Sequence, residues 1–248
     1  MSKLRSFPDA ANAVVVGANG GIGGALVDAL LADPQIGSVT ALSRSPVTRT
    51  HERLRSATID FTSEVSIEAV AADCAADDDI DLFIVATGIL HREPDISPEK
   101  RLADIDAATM AEVFHINTIG PALLAKHFLP LLRRDTKSAF AAISARVGSI
   151  GDNRLGGWAS YRASKSALNM LMRTFSIEQS RTNPGSLVVT LHPGTTNTAL
   201  SEPFQRNVPE GKLFTPEFVA ERLLAVLDGL TSEESGGFFA WDGSRIEY

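Results

Sequence analysis

The chain has 248 residues, of which 44% are hydrophobic and 21% charged, the mixture of a globular protein that can bury a core. A formal net charge of −7 without a basic run argues against nucleic acid or a membrane surface as a partner. The single cysteine, Cys74, excludes an intramolecular disulfide and a cysteine-rich zinc site, and no metal site is predicted. The basic segment Met1 to Pro8 has no apolar region behind it, and no apolar run could span a bilayer, so we expect a cytoplasmic protein.

Short apolar runs alternate with longer segments of helical spacing along the chain. The predicted strands are Ala13–Val16, Val39–Leu42, Ala57–Ile59, Leu82–Ala86, Ala139–Ser144, Leu187–His192 and Phe238–Trp241. The predicted helices are Ile22–Leu31, Ile67–Ala76, Thr109–Leu132, Ala159–Ser180 and Pro216–Leu230. Because the strands are almost continuously apolar, both of their faces should be buried, as in a parallel sheet with helices on each side. This predicts a doubly wound, Rossmann-type α/β fold, and the lack of a repeat or linker predicts a single domain over residues 1–248.

A glycine-rich segment, Gly17 to Gly24, connects the first predicted strand to the first predicted helix. A strand, a glycine turn and a helix N-terminus in this order form an anion site, because the ligand can approach the backbone and meets free N–H groups. A tight turn without a ligand would contain similar glycines, but the flanking strand and helix favour dinucleotide binding. The residues predicted to hold the cofactor here are Gly17, Asn19, Gly21, Ile22 and Gly23.

The spacing of these glycines, GxxxGxG, resembles that of the short-chain dehydrogenase/reductase family. The resemblance continues in the family's order through Asp60-Phe61, Asn117, Ser144, Tyr161-x-x-x-Lys165 and Pro193-Gly194-x-x-x-Thr198. The stretch from Ser144 to Trp158 is similar to that of the C-factor and sniffer-like carbonyl reductases. The resemblance implies an oxidoreductase that transfers a hydride between a nicotinamide cofactor and a small carbonyl or alcohol substrate.

The end of the second strand, Ser43-Arg44-Ser45, indicates which nicotinamide cofactor is preferred. Members of the family that prefer NAD carry an acidic residue here, whereas the guanidinium of Arg44 can bind the 2′-phosphate of NADP(H). A solvated surface arginine is the alternative. The family's second basic residue is absent, because Gly20 stands in its place, so NAD(H) also stays open as a cofactor.

The resemblance implies that three further segments contact the cofactor. One lies at the adenine, one is the central turn after the strand Leu82–Ala86, and one lies at the nicotinamide. Their residues are Asp60, Phe61, Ala86, Thr87, Gly88, Pro193, Gly194, Thr195 and Thr198. A lone loop aspartate such as Asp60 is otherwise usually a turn or cap residue. At the central turn, Val85-Ala86-Thr87-Gly88 stands where the family usually has Asn-Asn-Ala-Gly, so a supporting asparagine is missing.

Tyr161 and Lys165 are four residues apart on a predicted helix, so that both side chains can point into one cleft. A free tyrosine has a pKa of about 10, and a neighbouring cation lowers that pKa, which would make Tyr161 a usable acid or base. In the implied mechanism, Tyr161 exchanges a proton with the substrate oxygen, and Lys165 tunes Tyr161 and binds the nicotinamide ribose. Asn117 would hold a water in a proton relay to Lys165, although an asparagine in an apolar helix can instead bond a neighbouring carbonyl.

Two serines compete for the role of polarising the substrate carbonyl. Ser144 ends the fifth predicted strand, as in the family, but the usual second serine is replaced by Ala145. Ser149 lies 12 residues before Tyr161, whereas Ser144 lies 17 before it, which is longer than the family's spacing. We choose Ser144 for its position in the strand. His192 is predicted to be a packing residue at a strand end rather than a base.

The substrate itself is not evident from the sequence. Apolar side chains would form its pocket if Ile89, Leu90, Val147, Ile150, Trp158 and Phe204 converge. The irregular segment Thr198–Pro216 is either a lid over that pocket or a surface connection.

Two other functions stay open. One is a dinucleotide-binding signalling or regulatory protein of the C-factor type, in which turnover is incidental. The other is a sugar-nucleotide epimerase or dehydratase, which would need more than the roughly 50 residues that follow Thr198.

Assembly is predicted from the two longest helices, Thr109–Leu132 and Ala159–Ser180. They carry apolar residues on more than one face, including Leu168, Leu171, Met172 and Phe175. Because a helix with too much apolar surface for one core packs against a second subunit, we expect a homodimer or homotetramer, as the resemblance also implies.

Overall fold

The computed structural model describes residues 4–76 and 78–248, without the side chain of Asn207. Residues 1–3, the start of the basic N-terminal segment, lie outside the described residues. The strands are β1 Ala11–Val16, β2 Ile36–Ser43, β3 Leu54–Thr58, β4 Leu82–Val85, β5 Ser138–Ile143, β6 Ser186–His192, β7 Thr195–Thr196, β8 Leu213–Phe214 and β9 Phe238–Ala240. The helices are α1 Gly21–Leu31, α2 Glu64–Ala75, α3 Ala107–Phe114, α4 Gly120–Phe128, α5 Ala159–Thr182 and α6 Pro216–Gly229.

Seven parallel strands form the main sheet, in the order β3, β2, β1, β4, β5, β6 and β9. β7 and β8, which the sequence analysis did not predict, pair as a separate two-stranded sheet. Because β1 and β4 are neighbours in space but not in the chain, the order of the strands reverses between them. The predicted doubly wound, Rossmann-type α/β fold is confirmed.

The sheet separates two apolar layers, because successive residues of a strand point to opposite faces. On β1, Val15 belongs to the cluster that includes α1 and α6, whereas Val14 and Val16 belong to the cluster that includes α2, α4 and α5. In the second cluster, the ring centroid of Phe83 lies 4.4 Å from that of Phe128 and 5.0 Å from that of Phe140. Burial on both faces explains why the strands are almost continuously apolar.

The predicted helix Thr109–Leu132 is not a single α-helix. A π-helical turn, His115–Ile119, separates α3 from α4, and a 3-10 turn, Leu129–Leu131, ends the segment. Pro121 explains the interruption, since it has no N–H to donate to the carbonyl four residues earlier. The N–H of Gly120 donates to the carbonyl of His115, five residues back, as in a π-helix.

The part of the chain that the structure describes contains neither a membrane-spanning helix nor a metal-binding cluster. None of the helices within residues 4–76 and 78–248 is both long and apolar enough to span a bilayer. In the same part of the chain, no group of three or more His, Cys, Asp or Glu side chains is arranged for a metal ion.

Candidate active site

A cavity of about 400 Å³ lies at the carboxyl ends of the central strands, beside the point where the strand order reverses. Ligands of open α/β sheets bind at this position. The predicted cofactor and catalytic residues that line it are Gly21, Ile22, Ala86, Thr87, Gly88, Ser144, Tyr161, Lys165, Pro193, Gly194, Thr195 and Thr198. Of the predicted apolar pocket, Leu90, Val147, Trp158 and Phe204 line the cavity, whereas Ile89 and Ile150 do not. The Ile150 side chain is 75% exposed on the outside.

The glycine loop turns tightly into α1, and its packing explains several of its glycines. Gly17 has a φ of +91°, and a Cβ there would lie 2.8 Å from the carbonyl oxygen of Ala86. A Cβ on Gly21 would lie 2.6 Å from the Thr198 methyl group, and one on Gly23 would collide with the Gly17 carbonyl. α1 begins without a side-chain cap and without an acidic residue in its first turn, so its first N–H groups are available to an anion.

The loop after β2 is tied to the glycine loop at two points. The Asn19 amide donates to the carbonyls of Ser45, at 3.1 Å, and Pro46, at 3.2 Å. Arg49 donates to Asp28 on α1, at 3.0 Å, and to the carbonyl of Ala18, at 3.3 Å. The sequence analysis missed Arg49, because its partners are 21 and 31 residues away and no local pattern connects them.

Arg44 directly follows β2 and precedes both of these tethers in the chain. Its side chain is exposed, and its guanidinium makes no hydrogen bond with the described residues. It is near enough to Asp60 to contribute to the lowered pKa of that carboxyl. Arg44 is therefore free to bind a phosphate group.

Asp60 and Phe61 have structural roles beside the predicted adenine site. Hydrogen bonds from the main chain and hydroxyl of Thr62, at 2.9 Å and 2.6 Å, are the main cause of the lowered pKa of Asp60. These bonds are those of a turn residue, the alternative interpretation of the sequence. The Phe61 ring is buried and packs against Gly120, and Phe61 does not line the cavity.

Tyr161 and Lys165 lie together on α5 and both line the cavity. The ammonium of Lys165 donates to the carbonyl of Ile143 at 2.9 Å and lies 5.9 Å from the centroid of the Tyr161 ring. Burial raises the pKa of Tyr161 and lowers that of Lys165 to about 8. The predicted lowering of the Tyr161 pKa is thus wrong for the protein without cofactor, because burial outweighs the nearby cation. Tyr161 is a neutral phenol at pH 7, which is the form that donates a proton.

Asn117 lies in the π-helical turn, and its side chain is fully bonded. Its amide oxygen accepts from the N–H of Ile89 and its nitrogen donates to the carbonyl of Ile89, both at 2.8 Å. The nitrogen also lies 3.1 Å from the hydroxyl of Ser164. This pair of hydrogen bonds with the Ile89 main chain is the structural role that the sequence analysis left open as an alternative. A Cβ on Gly88 would lie 3.3 Å from the Asn117 oxygen and 3.4 Å from the Lys165 ammonium, so Asn117 is also close to Lys165.

The two candidate serines have different surroundings. The hydroxyl of Ser144 is buried, lines the cavity and has no hydrogen-bond partner among the described residues. The hydroxyl of Ser149 is also buried, but it accepts from the N–H of Asp152 at 3.1 Å and does not line the cavity. Ser144 is therefore the serine that a bound substrate can reach.

His192 ends β6, where the sequence predicted a packing residue rather than a base, and it lines the cavity. Its Nδ1 accepts from the main-chain N–H of Arg146 at 3.2 Å. Burial, together with the charge of Arg146, lowers the pKa of His192 to about 4. The imidazole is therefore neutral at pH 7, with its hydrogen on Nε2.

The irregular segment after β7 covers one side of the cavity. Its lining residues are Thr198, Ala199, Leu200, Ser201, Phe204 and Val208. The Phe204 ring packs edge-on to Trp158, with a centroid distance of 5.0 Å, and to His91, at 5.6 Å. His91 also contacts the carbonyl of Ala199 at 3.0 Å. Of the two interpretations of this segment, these contacts support the lid.

The N-terminus of the helix that carries Tyr161 is held by a buried acid that the sequence analysis missed. The Glu99 carboxylate accepts from the N–H of Ser160, at 3.2 Å, and from its hydroxyl. The carbonyl of Glu99 accepts from the N–H of Trp158, which has a left-handed φ of +53°. A negative charge at this end of α5 is stabilised by the helix dipole. Glu99 is 61 residues from Ser160, so no local pattern could reveal the cap.

The family described as short chain dehydrogenase matches residues 11–209. The chain belongs to this family of oxidoreductases.

The chain is similar to C-signal and to carbonyl reductases. C-signal of Myxococcus xanthus is 37% identical over 147 residues, which cover 59% of this chain and 83% of that protein. The NADPH-bound carbonyl reductase from chicken fatty liver is 29% identical, with a TM-score of 0.85 over 97% of this chain and 95% of the other. Carbonyl reductase Sniffer of D. melanogaster shares the fold, with a TM-score of 0.82 and 23% identity over 97% and 100% of the two chains. The predicted resemblance is confirmed.

The cap of α5 leads to the first prediction, on stability. We expect Glu99→Ala to lower the free energy of unfolding by about 2 kcal/mol, because the N–H and the hydroxyl of Ser160 lose their buried acceptor. Urea unfolding followed by circular dichroism would measure the change. Glu52→Ala, which removes an exposed carboxylate, is the control and should shift the midpoint little. Equal effects of the two substitutions would show that the Glu99 cap does not stabilise the helix.

Proposed function

We propose that this protein is an NADP(H)-dependent oxidoreductase that transfers a hydride between nicotinamide and a carbonyl or alcohol substrate, with Tyr161 as proton donor and acceptor. The observation that carries the proposal is the meeting of Tyr161, Lys165 and the unpaired hydroxyl of Ser144 in one cavity. This cavity adjoins the uncapped N-terminus of α1. Membership of an oxidoreductase family and the likeness to an NADPH-bound carbonyl reductase support the proposal.

The residues present fit NADP(H). The free N–H groups at the start of α1 suit a diphosphate. Arg44 is exposed, unpaired among the described residues, and suits a 2′-phosphate. The unpaired buried hydroxyl of Thr87 lies on the cavity wall between these sites and the catalytic group. Thr195 and Thr198 would hold the nicotinamide end, and Asp60 the adenine end.

Bound NADPH would supply the hydride, and the side chains of this chain would supply the proton and the orientation. Ser144 would donate a hydrogen bond to the carbonyl oxygen, and Tyr161 would donate its phenolic proton to that oxygen as the C–H bond forms. In the oxidative direction, Tyr161 would take the proton of the alcohol. Because the pKa of Lys165 is about 8, its ammonium is mostly charged at pH 7 and would stabilise the phenolate that remains.

An absorbance assay at 340 nm tests this function. Purified protein would be incubated with NADPH or NADH and a panel of aldehydes, diketones and quinones. Loss of absorbance with at least one compound is expected. The likeness to C-signal favours one second candidate, a dinucleotide-binding regulatory or signalling protein. Tight NADPH binding together with a flat panel would support that second function.

The proton donor can be removed without disturbing the packing. The hydroxyl of Tyr161 makes no hydrogen bond with the described residues, so Tyr161→Phe should fold as the wild type does. We expect kcat to fall by about a hundred- to ten-thousand-fold while cofactor binding stays nearly intact, because general acid catalysis is lost. Lys165→Ala should differ, because Lys165 is also assigned a contact with the nicotinamide ribose. We expect it to lower kcat and to weaken cofactor binding. A Tyr161→Phe variant with more than about a tenth of wild-type kcat would require another acid.

The cofactor preference depends on an exposed arginine. We expect Arg44→Ala to weaken NADPH binding about tenfold while it changes NADH binding little, because only NADPH has the 2′-phosphate. Titration of the intrinsic fluorescence with each cofactor would give the two dissociation constants. Equal losses for NADPH and NADH would contradict the assignment of Arg44.

The apolar residues from which we predicted a homo-oligomer are not the ones that α5 and the segment Thr109–Leu132 expose. Leu168 and Met172 are buried within this chain, and Leu171 and Phe175 are half-buried. On α5, the exposed large apolar residues are Met170, with 66% of its surface accessible, and Ile177, with 46%. In the π-helical turn before α4, Ile119 is 44% exposed.

We propose a homodimer or homotetramer in which these exposed residues are covered by a second subunit. Light scattering at micromolar concentration should give two or four times the mass of 26.4 kDa. The double substitution Met170→Glu with Ile177→Glu should shift the mass towards a monomer, because two charges would be buried in the interface. A monomeric wild-type protein would contradict the proposal.

A further inference from the structure

Among the residues that the structure describes, the cavity is lined by cations and hydrogen-bond donors but by no acid. Its charged lining residues are Lys165 and Arg146, and none of the lining residues is an aspartate or a glutamate. Lys165 already donates to the carbonyl of Ile143 and serves the catalytic group. Arg146 has no part in the proposed proton transfer, so its position in the cavity wall needs another explanation.

Arg146 follows Ser144 by two residues, in the 3-10 turn Arg146–Gly148 that succeeds β5. Its side chain is half-exposed, and its ion-pair partner is Asp152, at 3.7 Å, whose side chain is also half-exposed. An ion pair between such exposed groups contributes only about 0–1 kcal/mol. A ligand carboxylate can therefore replace Asp152 at small cost, and a guanidinium binds a carboxylate through two parallel hydrogen bonds.

His192 supplies a second donor beside Arg146. Because its Nδ1 accepts from the main-chain N–H of Arg146, the neutral ring carries its hydrogen on Nε2. This Nε2 makes no hydrogen bond with the residues that the structure describes, and His192 lines the cavity. The neutral ring and the guanidinium both donate, so the two together suit an anion.

Beside hydroxyl side chains, the cavity wall carries apolar and aromatic residues. Leu90, Val147, Trp158 and Phe204 line the cavity, and the Trp158 ring packs at 6.3 Å from that of Tyr161 and at 5.0 Å from that of Phe204. Such a wall suits a hydrophobic body attached to the anionic group.

We propose that the substrate is a hydrophobic oxo acid, or the corresponding hydroxy acid, whose carboxylate is bound by Arg146 with His192 as a second donor. This inference rests on the proposed function, since it places the reacting carbonyl at Ser144 and Tyr161. A neutral ketone or diketone would gain no ion pair with the guanidinium, which would stay with Asp152.

A binding experiment tests the anion site apart from catalysis. Benzoate and benzamide have the same size, and only benzoate is charged at pH 7. Calorimetric titration of the wild-type protein, in the presence of saturating NADP, should give at least a tenfold preference for benzoate. Arg146→Gln should abolish this preference. Arg154→Gln is the control, because Arg154 is exposed on the same loop, does not line the cavity and loses the same charge.

Several results of this titration would overturn the inference. They are equal binding of benzoate and benzamide by the wild type, no binding of either compound, and an equal loss of preference in the Arg154→Gln control. The last result would mean that the general charge of the loop, and not a contact with Arg146, attracts the anion.

A turnover experiment separates this inference from the proposed function. Benzoylformate and its methyl ester offer the same ketone with and without a charge. We expect benzoylformate to have the higher kcat/KM with NADPH and Arg146→Gln to lower the ratio of the two values about tenfold or more. Reduction of the ester without preference for benzoylformate would overturn the oxo acid inference alone. A preference for benzoate in binding, with no reduction of any carbonyl compound, would instead leave the anion site and overturn the proposed oxidoreductase function.

Discussion

The reversal of strand order between β1 and β4 is the constraint on which the site depends. Helices that follow strands on the two sides of this point cover opposite faces of the sheet, so a crevice remains at the carboxyl edge. The glycine loop follows β1, the turn Ala86 to Gly88 follows β4, and Ser144 follows β5. Residues that are more than 50 positions apart in the chain therefore meet in one cavity. The close approach of Gly17 to Ala86, which leaves no space for a Cβ, fixes the distance between the first two of these turns.

Burial controls the chemistry inside this crevice more than neighbouring charges do. It raises the pKa of Tyr161 and lowers the pKa values of Lys165 and His192, so that the phenol and the imidazole are neutral at pH 7. The same burial leaves the hydroxyls of Thr87 and Ser144 without partners among the described residues. Each unsatisfied buried group costs about 1–3 kcal/mol, which a ligand regains when it supplies the missing hydrogen bond. The cavity is thus prepared for a polar ligand before one binds.

Much of the fold was predictable because it depends on local composition. Continuous apolar strands indicated a parallel sheet, and the glycine loop between a strand and a helix indicated the anion site. The interruption of the long helix was visible in the sequence as Pro121, but the periodicity of the apolar residues hid it. What could not be predicted depends on contacts across the fold. Examples are the cap that Glu99 provides for α5 and the contact of Arg49 with the glycine loop.

The sequence predicted most of the residues that form the candidate site. It did not predict their protonation states or their hydrogen bonds. Spacing placed Tyr161 and Lys165 on one face of α5, yet spacing says nothing about solvent, so the direction of the Tyr161 pKa was wrong. The Ser149 hydroxyl accepts a hydrogen bond from the N–H of Asp152, whereas the Ser144 hydroxyl has no partner among the described residues. Only such three-dimensional contacts distinguish the two serines. His192 was given a packing role because a strand end does not tell which side chain faces a cavity.

The two ends of the cofactor cleft differ in exposure to solvent. This difference determines how strong the interactions of a ligand with each end can be. Arg44 is exposed, so its attraction for a phosphate is screened by salt and weakened by water. Gly20 adds no second charge, and Arg49, the next cation along the loop, is already bonded to Asp28 and the carbonyl of Ala18. Any preference for NADP(H) over NAD(H) that Arg44 produced would therefore be moderate and would decline as ionic strength rises. At the other end, Ser144, Tyr161 and Lys165 are buried, so their interactions are stronger and depend little on salt.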